Sequence, residues 1–195
     1  MPSPAVFAVL SSVLTISSYV ITCRSIAAGR TKPHAFSWFI WFLLSLVIAL
    51  AQWARGAGVG ITMMLVSAGG CLLLAYLGWR VGQKNIVKKD YISLFLSFLT
   101  IPLWIVTKDP LASIFLIAFI NTLGLIPTLR KSWHTPNEEN PMTYLLFGTS
   151  NFVSIFSIES INLTTALMPA YRSILCFMTV IFLLIRRHQK NRKAI

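Results

Sequence analysis

Few side chains in this 195-residue sequence have chemistry to offer, and those few stand apart in apolar surroundings. Arg172 is the most isolated, set in the run LMPAYRSILCF. Its guanidinium stays charged at any physiological pH, so within a lipid-crossing helix it must snorkel to the surface, find a partner or face a wet interior. Glu159, in the loop just before, is one candidate partner. An interior placement would make Arg172 an anion-selecting group in a solute path. Asn121, Asn151 and Ser45 lie in other apolar runs. Such groups serve either as interhelical hydrogen-bond glue, each about 0.6 kcal/mol, or as polar contacts of a shared pocket. Trp38 and Trp41 are three residues apart, on one face of a helix, and could form a stacking wall for a ring-shaped solute or anchor the helix at the membrane interface. Pro127 removes a backbone donor, which makes either a hinge or a plain helix end. Pro102 and Pro169 carry the same ambiguity.

Other chemistry is missing from the pattern. There is no HExxH helix, no glycine-rich phosphate loop and no Ser/His/Asp set at a recognisable spacing, so no catalytic residue, metal site or cofactor is predicted. Cys23, Cys71 and Cys176 lack metal-ligand spacing and read as small, reduced helix residues. Asp90, Asp109, Glu138, Glu139 and Glu159 all fall in loops or at span ends, which argues against a buried carboxylate proton relay. His34, beside Pro33, titrates in the range of a proton sensor but reads as a solvated loop residue. The triplet Asn162-Leu163-Thr164 fits a glycosylation acceptor, a pattern that arises often by chance.

The elements that must position these residues are membrane helices. A 56% hydrophobic content with 11% charge and mean hydropathy +0.73 is outside the range of soluble domains. The apolar blocks at 5–23, 35–53, 61–79, 91–107, 111–129, 142–158 and 166–185 each approach the roughly 20 residues that cross a bilayer. The first block has no basic residue before it and reads as a retained helix, not a secretion signal. The predicted fold is therefore all-α and integral to the membrane, one domain of seven transmembrane helices joined by short loops. Trp53, Trp79 and Trp104 fall near span ends, as interfacial anchors do.

Charge orients the bundle. The net charge of +12 is concentrated in 24–34, 80–90, 130–141 and the tail, while the opposite face has only Arg55 and Lys108. The positive-inside rule then puts the N-terminus outside and the C-terminus in the cytoplasm of a plasma (inner) membrane. A basic face against anionic lipid accounts for the charge without nucleic acid.

The tail also repeats the chain. RVGQKN at 80–85 returns as RRHQKN at 186–191, and at the same offset of 106 Ser37-Trp38 meets Thr143-Tyr144, Pro4 meets Pro110 and Arg24 meets Arg130. At this offset Asn121 and Asn151 correspond to Thr15 and Ser45. A three-helix unit ends on the opposite side from its start, so a second copy in the same orientation needs one extra helix. The expected arrangement is 3+1+3: one parallel repeat over 1–85, a linker helix over 91–107 and a second repeat over 111–191.

In this organisation the chain resembles the PQ-loop and SWEET superfamily (MtN3-like). That family carries a Pro-Gln pair near the cytoplasmic end of the first helix of each repeat, before a basic loop. Here Pro127-Thr128 precedes Arg130 and Lys131, Ile21-Thr22 stands at the other position, and glutamine is missing from both. The resemblance implies transport of a small solute such as a sugar, amino acid or vitamin-like metabolite, by rocking two three-helix halves about a midplane site without ion coupling. It also offers a second reading, a non-transporting receptor or assembly partner like the KDEL receptor, docking through its basic loops and RKSWHTPNEENP at 130–141. Fold alone does not choose between them, and self-association into a homo-oligomer is open to either.

Overall fold

The computed structural model describes residues 3–30, 33, 35–81, 88–107, 110–134 and 136–192. Among these residues the chain is all-helical. Its α-helices are α1 (Pro4–Ala27), α2 (Ala35–Ala54), α3 (Thr62–Val81), α4 (Lys88–Thr107), α5 (Pro110–His134), α6 (Pro141–Ile155) and α7 (Leu163–Arg192), with 3-10 turns at Gly58–Ile61 and Pro136–Glu138. Three stretches are long and apolar enough to cross a membrane, Pro4–Ala27, Gly58–Val81 and Leu163–Lys190, and Trp38–Ala54 and Leu111–Thr122 are shorter apolar helices. His34 and positions 82–87, which include the first QKN, lie outside the described residues.

Local chemistry sets the ends. Pro4 and Pro141 open α1 and α6, where a missing N–H costs nothing, and the Asn140 side chain accepts from Met142 N at 3.0 Å. α7 begins three residues earlier than its apolar block because Asn162 and Thr165 cap it reciprocally: Thr165 N donates to Asn162 Oδ1 at 3.1 Å and Asn162 N to Thr165 Oγ1 at 3.0 Å. The Asn162 amide is thus part of a helix cap. α6 stops at Ile155, short of the expected 158. Ser154 and Ser157 donate to the carbonyls of Asn151 (2.8 Å) and Ser154 (2.6 Å), drawing the last turn away from its helical pattern. α2 ends at Ala54, and Gly56 just beyond it, with φ of 76°, allows Ala57 N to bond Gln52 O at 3.0 Å.

Packing gives two trios with the same internal order. α3 packs against both α1 and α2, and α7 packs against both α5 and α6. The trios meet where α1 lies along α6 and α2 touches α5, while α4 rests on α5 and α2. Burial on α1 is inverted relative to a helix of a soluble bundle. On α1 the large residues Val6, Val9, Val13 and Ile16 are exposed, while Ser11, Thr15 and Ser18 are buried. The buried hydroxyls stitch the trios together: Ser150 Oγ donates to Ser11 O at 2.8 Å and contacts Thr15 Oγ1, and Ser18 Oγ donates to Thr143 O at 3.2 Å. An apolar exterior around hydrogen-bonded small residues suits lipid, where association relies on close packing and polar contacts. Trp53 and Trp79 point outward near helix ends, and the side chain of Trp104 lies outside the described residues.

Candidate functional site

Between the trios lies a cavity of about 1170 Å³. All six residues singled out from the sequence as solute contacts line it: Ser45, Trp38 and Trp41 from α2, Asn121 from α5, Asn151 from α6 and Arg172 from α7. Toward the basic segments it is lined by Arg24 and Ser25 near the end of α1, Arg30 beyond it, Asn137, Glu139 and Asn140 before α6, Pro141 at its start, and Arg187 of α7. These belong to the basic segments of the sequence.

Several alternatives left open by the sequence are decided by contacts. Asn121 Nδ2 donates to Ile117 O at 2.9 Å and Asn151 Nδ2 to Phe147 O at 2.8 Å, each within its own helix, so neither amide joins two helices. Among the described residues, Asn151 Oδ1 and Ser45 Oγ have no hydrogen-bond partner, although the two are only 4% and 1% exposed. Buried polar atoms are rarely left so, and those at binding sites await a ligand group. Trp38 and Trp41 are half-buried inside the bundle, so they are not lipid anchors. Their rings meet edge to face at 4.8 Å and 90°, an angular wall.

Arg172 sits deeper than its apolar block suggested. Counted from Leu163, it is about 14 Å along α7 at 1.5 Å per residue. Its guanidinium crosses to α3 and donates to Met64 Sδ at 3.6 Å, within electrostatic reach of Tyr19, Cys71, Cys176 and Tyr171. Glu159 is not its partner. That carboxylate accepts from Val59 N at 3.3 Å and lies over Gly58, whose φ of 55° and missing Cβ leave room for it. Both snorkelling and the Glu159 pair are thereby replaced by the interior placement.

The hinge expected at Pro127 has no described side chain; α5 runs through that position to His134, so the helix does not end there. A different proline has a visible consequence. Pro169, inside α7, has no N–H for the carbonyl four residues earlier, and that carbonyl, Thr165 O, accepts from Gln52 Nε2 of α2 at 2.8 Å. The bond links the two trios at the end of the cavity away from the mouth. There the 55–61 and 156–162 loops are also joined, Glu159 N to Ala57 O at 3.2 Å, Ser160 N to Gly56 O at 3.1 Å and Asn162 Nδ2 to Arg55 O at 3.1 Å. Phe7 and Phe156 close together at 5.5 Å beside them. These bonds hold the two trios together at this end of the cavity.

Sequence reading missed Gln52 and Tyr19. Tyr19 donates to Ser67 O at 3.0 Å and contacts Cys71 Sγ at 3.2 Å, with its ring over Gly70, where a Cβ would collide at 2.3 Å. The available signals were an amide inside an apolar block, a proline in another block whose missing N–H frees the carbonyl four residues earlier, and a Gly-Gly pair with room for a ring. Among the described residues, no group of three or more His, Cys, Asp or Glu gathers as metal ligands would.

No family model, curated protein or solved structure matches this chain.

Proposed function

We propose that this protein is a seven-span membrane carrier for a small solute, built as 3+1+3 from two parallel repeats and working by alternating access, as its resemblance to the PQ-loop and SWEET superfamily implies. The observation that carries this reading is the cavity between the trios, lined toward the basic segments by Arg24, Arg30 and Arg187, with hydrogen bonds joining the 55–61 and 156–162 loops at its far end. A carrier in one of its two end states has this form: a site reached from one side and closed from the other. With the basic segments in the cytoplasm, the described conformation is open inward.

In this mechanism Asn121, Asn151 and Ser45 supply polar contacts, Trp38 and Trp41 an aromatic wall, and Arg172 a fixed positive charge at the closed end. The solute offsets the cost of their unmet hydrogen bonds, so the occupied site favours closure of the mouth. Opening the far side then requires the 55–61 and 156–162 loops to part. The common order of helices in the two trios supports treating them as rocking halves.

The test is counterflow. Purified protein in liposomes preloaded with unlabelled solutes is expected to accumulate the matching labelled solute from a panel of sugars, amino acids, vitamins and organic acids. If the whole panel is inert and one protein co-purifies stoichiometrically, the receptor reading replaces this one. The segment 130–141 is less free for such docking than its sequence suggests. Arg186, Lys190 and Arg187 donate to the carbonyls of Trp133 (2.8 Å), His134 (3.1 Å) and Glu139 (2.6 Å).

A further inference from the structure

We infer that the solute of this cavity is an organic anion, held by Arg172 at the closed end with its apolar body against the aromatic wall. The inference rests on the cavity being the solute site and specifies the chemical class it accepts.

Arg172 is the first ground. A guanidinium carries five N–H donors in a planar fork suited to a carboxylate. Among the described residues the only hydrogen bond it makes is to the thioether of Met64, a weak acceptor. The groups within its electrostatic reach are a tyrosine pair and two cysteines, all uncharged in their usual forms near neutral pH, and Glu159 is engaged elsewhere. A cation enclosed by helices without a counter-charge is costly, and an anion in the cavity removes that cost.

The second ground is independent of Arg172. Among the described lining residues the other charges are Arg24, Arg30 and Arg187 against Glu139, whose carboxylate accepts from Tyr144 at 3.1 Å. A mouth with excess positive charge between low-dielectric walls concentrates anions and repels cations. The third is shape. Tyr19, Trp38, Trp41 and Phe147 line the same space with rings turned nearly perpendicular, Trp38 to Trp41 at 90° and Tyr19 to Phe147 at 85°. Such a wall, in a cavity of about 1170 Å³, fits an organic body and not a bare inorganic ion.

Benzoate and its neutral isostere benzamide test this directly. In calorimetric titration of the full chain in detergent, benzoate is expected to bind at least about tenfold more tightly than benzamide, since the amide leaves the fork unmatched. R172Q should abolish the preference and R172K should retain part of it, keeping charge but losing the fork. R172Q is expected to melt no lower than the unaltered chain, because it removes an unpaired charge; should it fail to fold, the isostere comparison and R172K carry the test. Equal binding of the two compounds, an unchanged preference in R172Q, absence of benzoate binding, or tighter binding of chloride or inorganic phosphate would each overturn the inference. Benzoate binding without counterflow would remove the carrier reading and leave the anion site. Counterflow of a neutral solute untouched by R172Q would do the reverse.

Discussion

In the proposed site, Ser45 and Asn151 serve binding at the expense of the fold. Among the described residues each presents a buried oxygen with no partner, and each sits at the corresponding position of its half. Leaving such an atom unmet costs about 1–3 kcal/mol, so replacing Ser45 by alanine is expected to hold or raise the melting temperature in detergent. The same change should weaken solute binding several-fold. Thermal melts and titrations on one preparation check both halves, and a variant that melts lower with binding intact would make Ser45 a packing residue. Asn121 differs: its counterpart Thr15 is absorbed in the α1–α6 contact with Ser150, so the pocket is asymmetric at this pair.

At the scale of elements, α7 does the most. It caps itself through Asn162 and Thr165, breaks its ladder at Pro169 and delivers Arg172 one turn later. The break is stabilised from the other trio by Gln52, which gives a prediction with an internal control. Gln52→Leu should destabilise the protein by about 1 kcal/mol, the scale of interhelical hydrogen bonds in membranes. In a Pro169→Ala background the helix recovers its own N–H for Thr165 O, and the same substitution should cost less. A double-mutant cycle measured by thermal unfolding decides; equal costs in both backgrounds would show that Gln52 does not act through that carbonyl. α6 has 15 residues, and the proposed seven-span bundle, in which a span needs roughly 20, accommodates it by the same logic. Irregular backbone near membrane depth is tolerated where protein satisfies it, and the 156–162 loop finds its partners in the 55–61 loop.

For the whole molecule, the proposed carrier mechanism makes those loops the far gate, and on that reading locking them should stop the rocking of the halves. A Cβ at Gly56 would lie 3.3 Å from Ser160 Cβ, near the roughly 3.5–4.5 Å of disulfides. The pair Gly56→Cys and Ser160→Cys is expected to lose counterflow on oxidation, to regain it on reduction and to bind solute from the open side in both states. Flux that survives complete oxidation would place the moving parts elsewhere. The left-handed φ of Gly56 means this variant will be somewhat less stable, and either single cysteine provides the control.

How much of this was legible beforehand follows from which interactions are local. Apolar runs, proline starts and the charge asymmetry are properties of contiguous residues, and they gave the helices to within a turn at most ends. The offset of 106 likewise paired Ser45 with Asn151 before any contact was known. The end of α6 escaped because serine hydroxyls turning back on its carbonyls look, in a sequence, like any small residues of a span. By itself, then, the sequence determined an all-helical chain with apolar helices and a short set of polar residues stranded among them. Only the tertiary structure decided that Arg172 faces inward, that Glu159 serves the loop seal and that Gln52 answers Pro169. Side-chain partners across helices depend on rotation and close approach, as where the Tyr19 ring lies on Gly70, and neither quantity is written in the order of residues along one strand of chain.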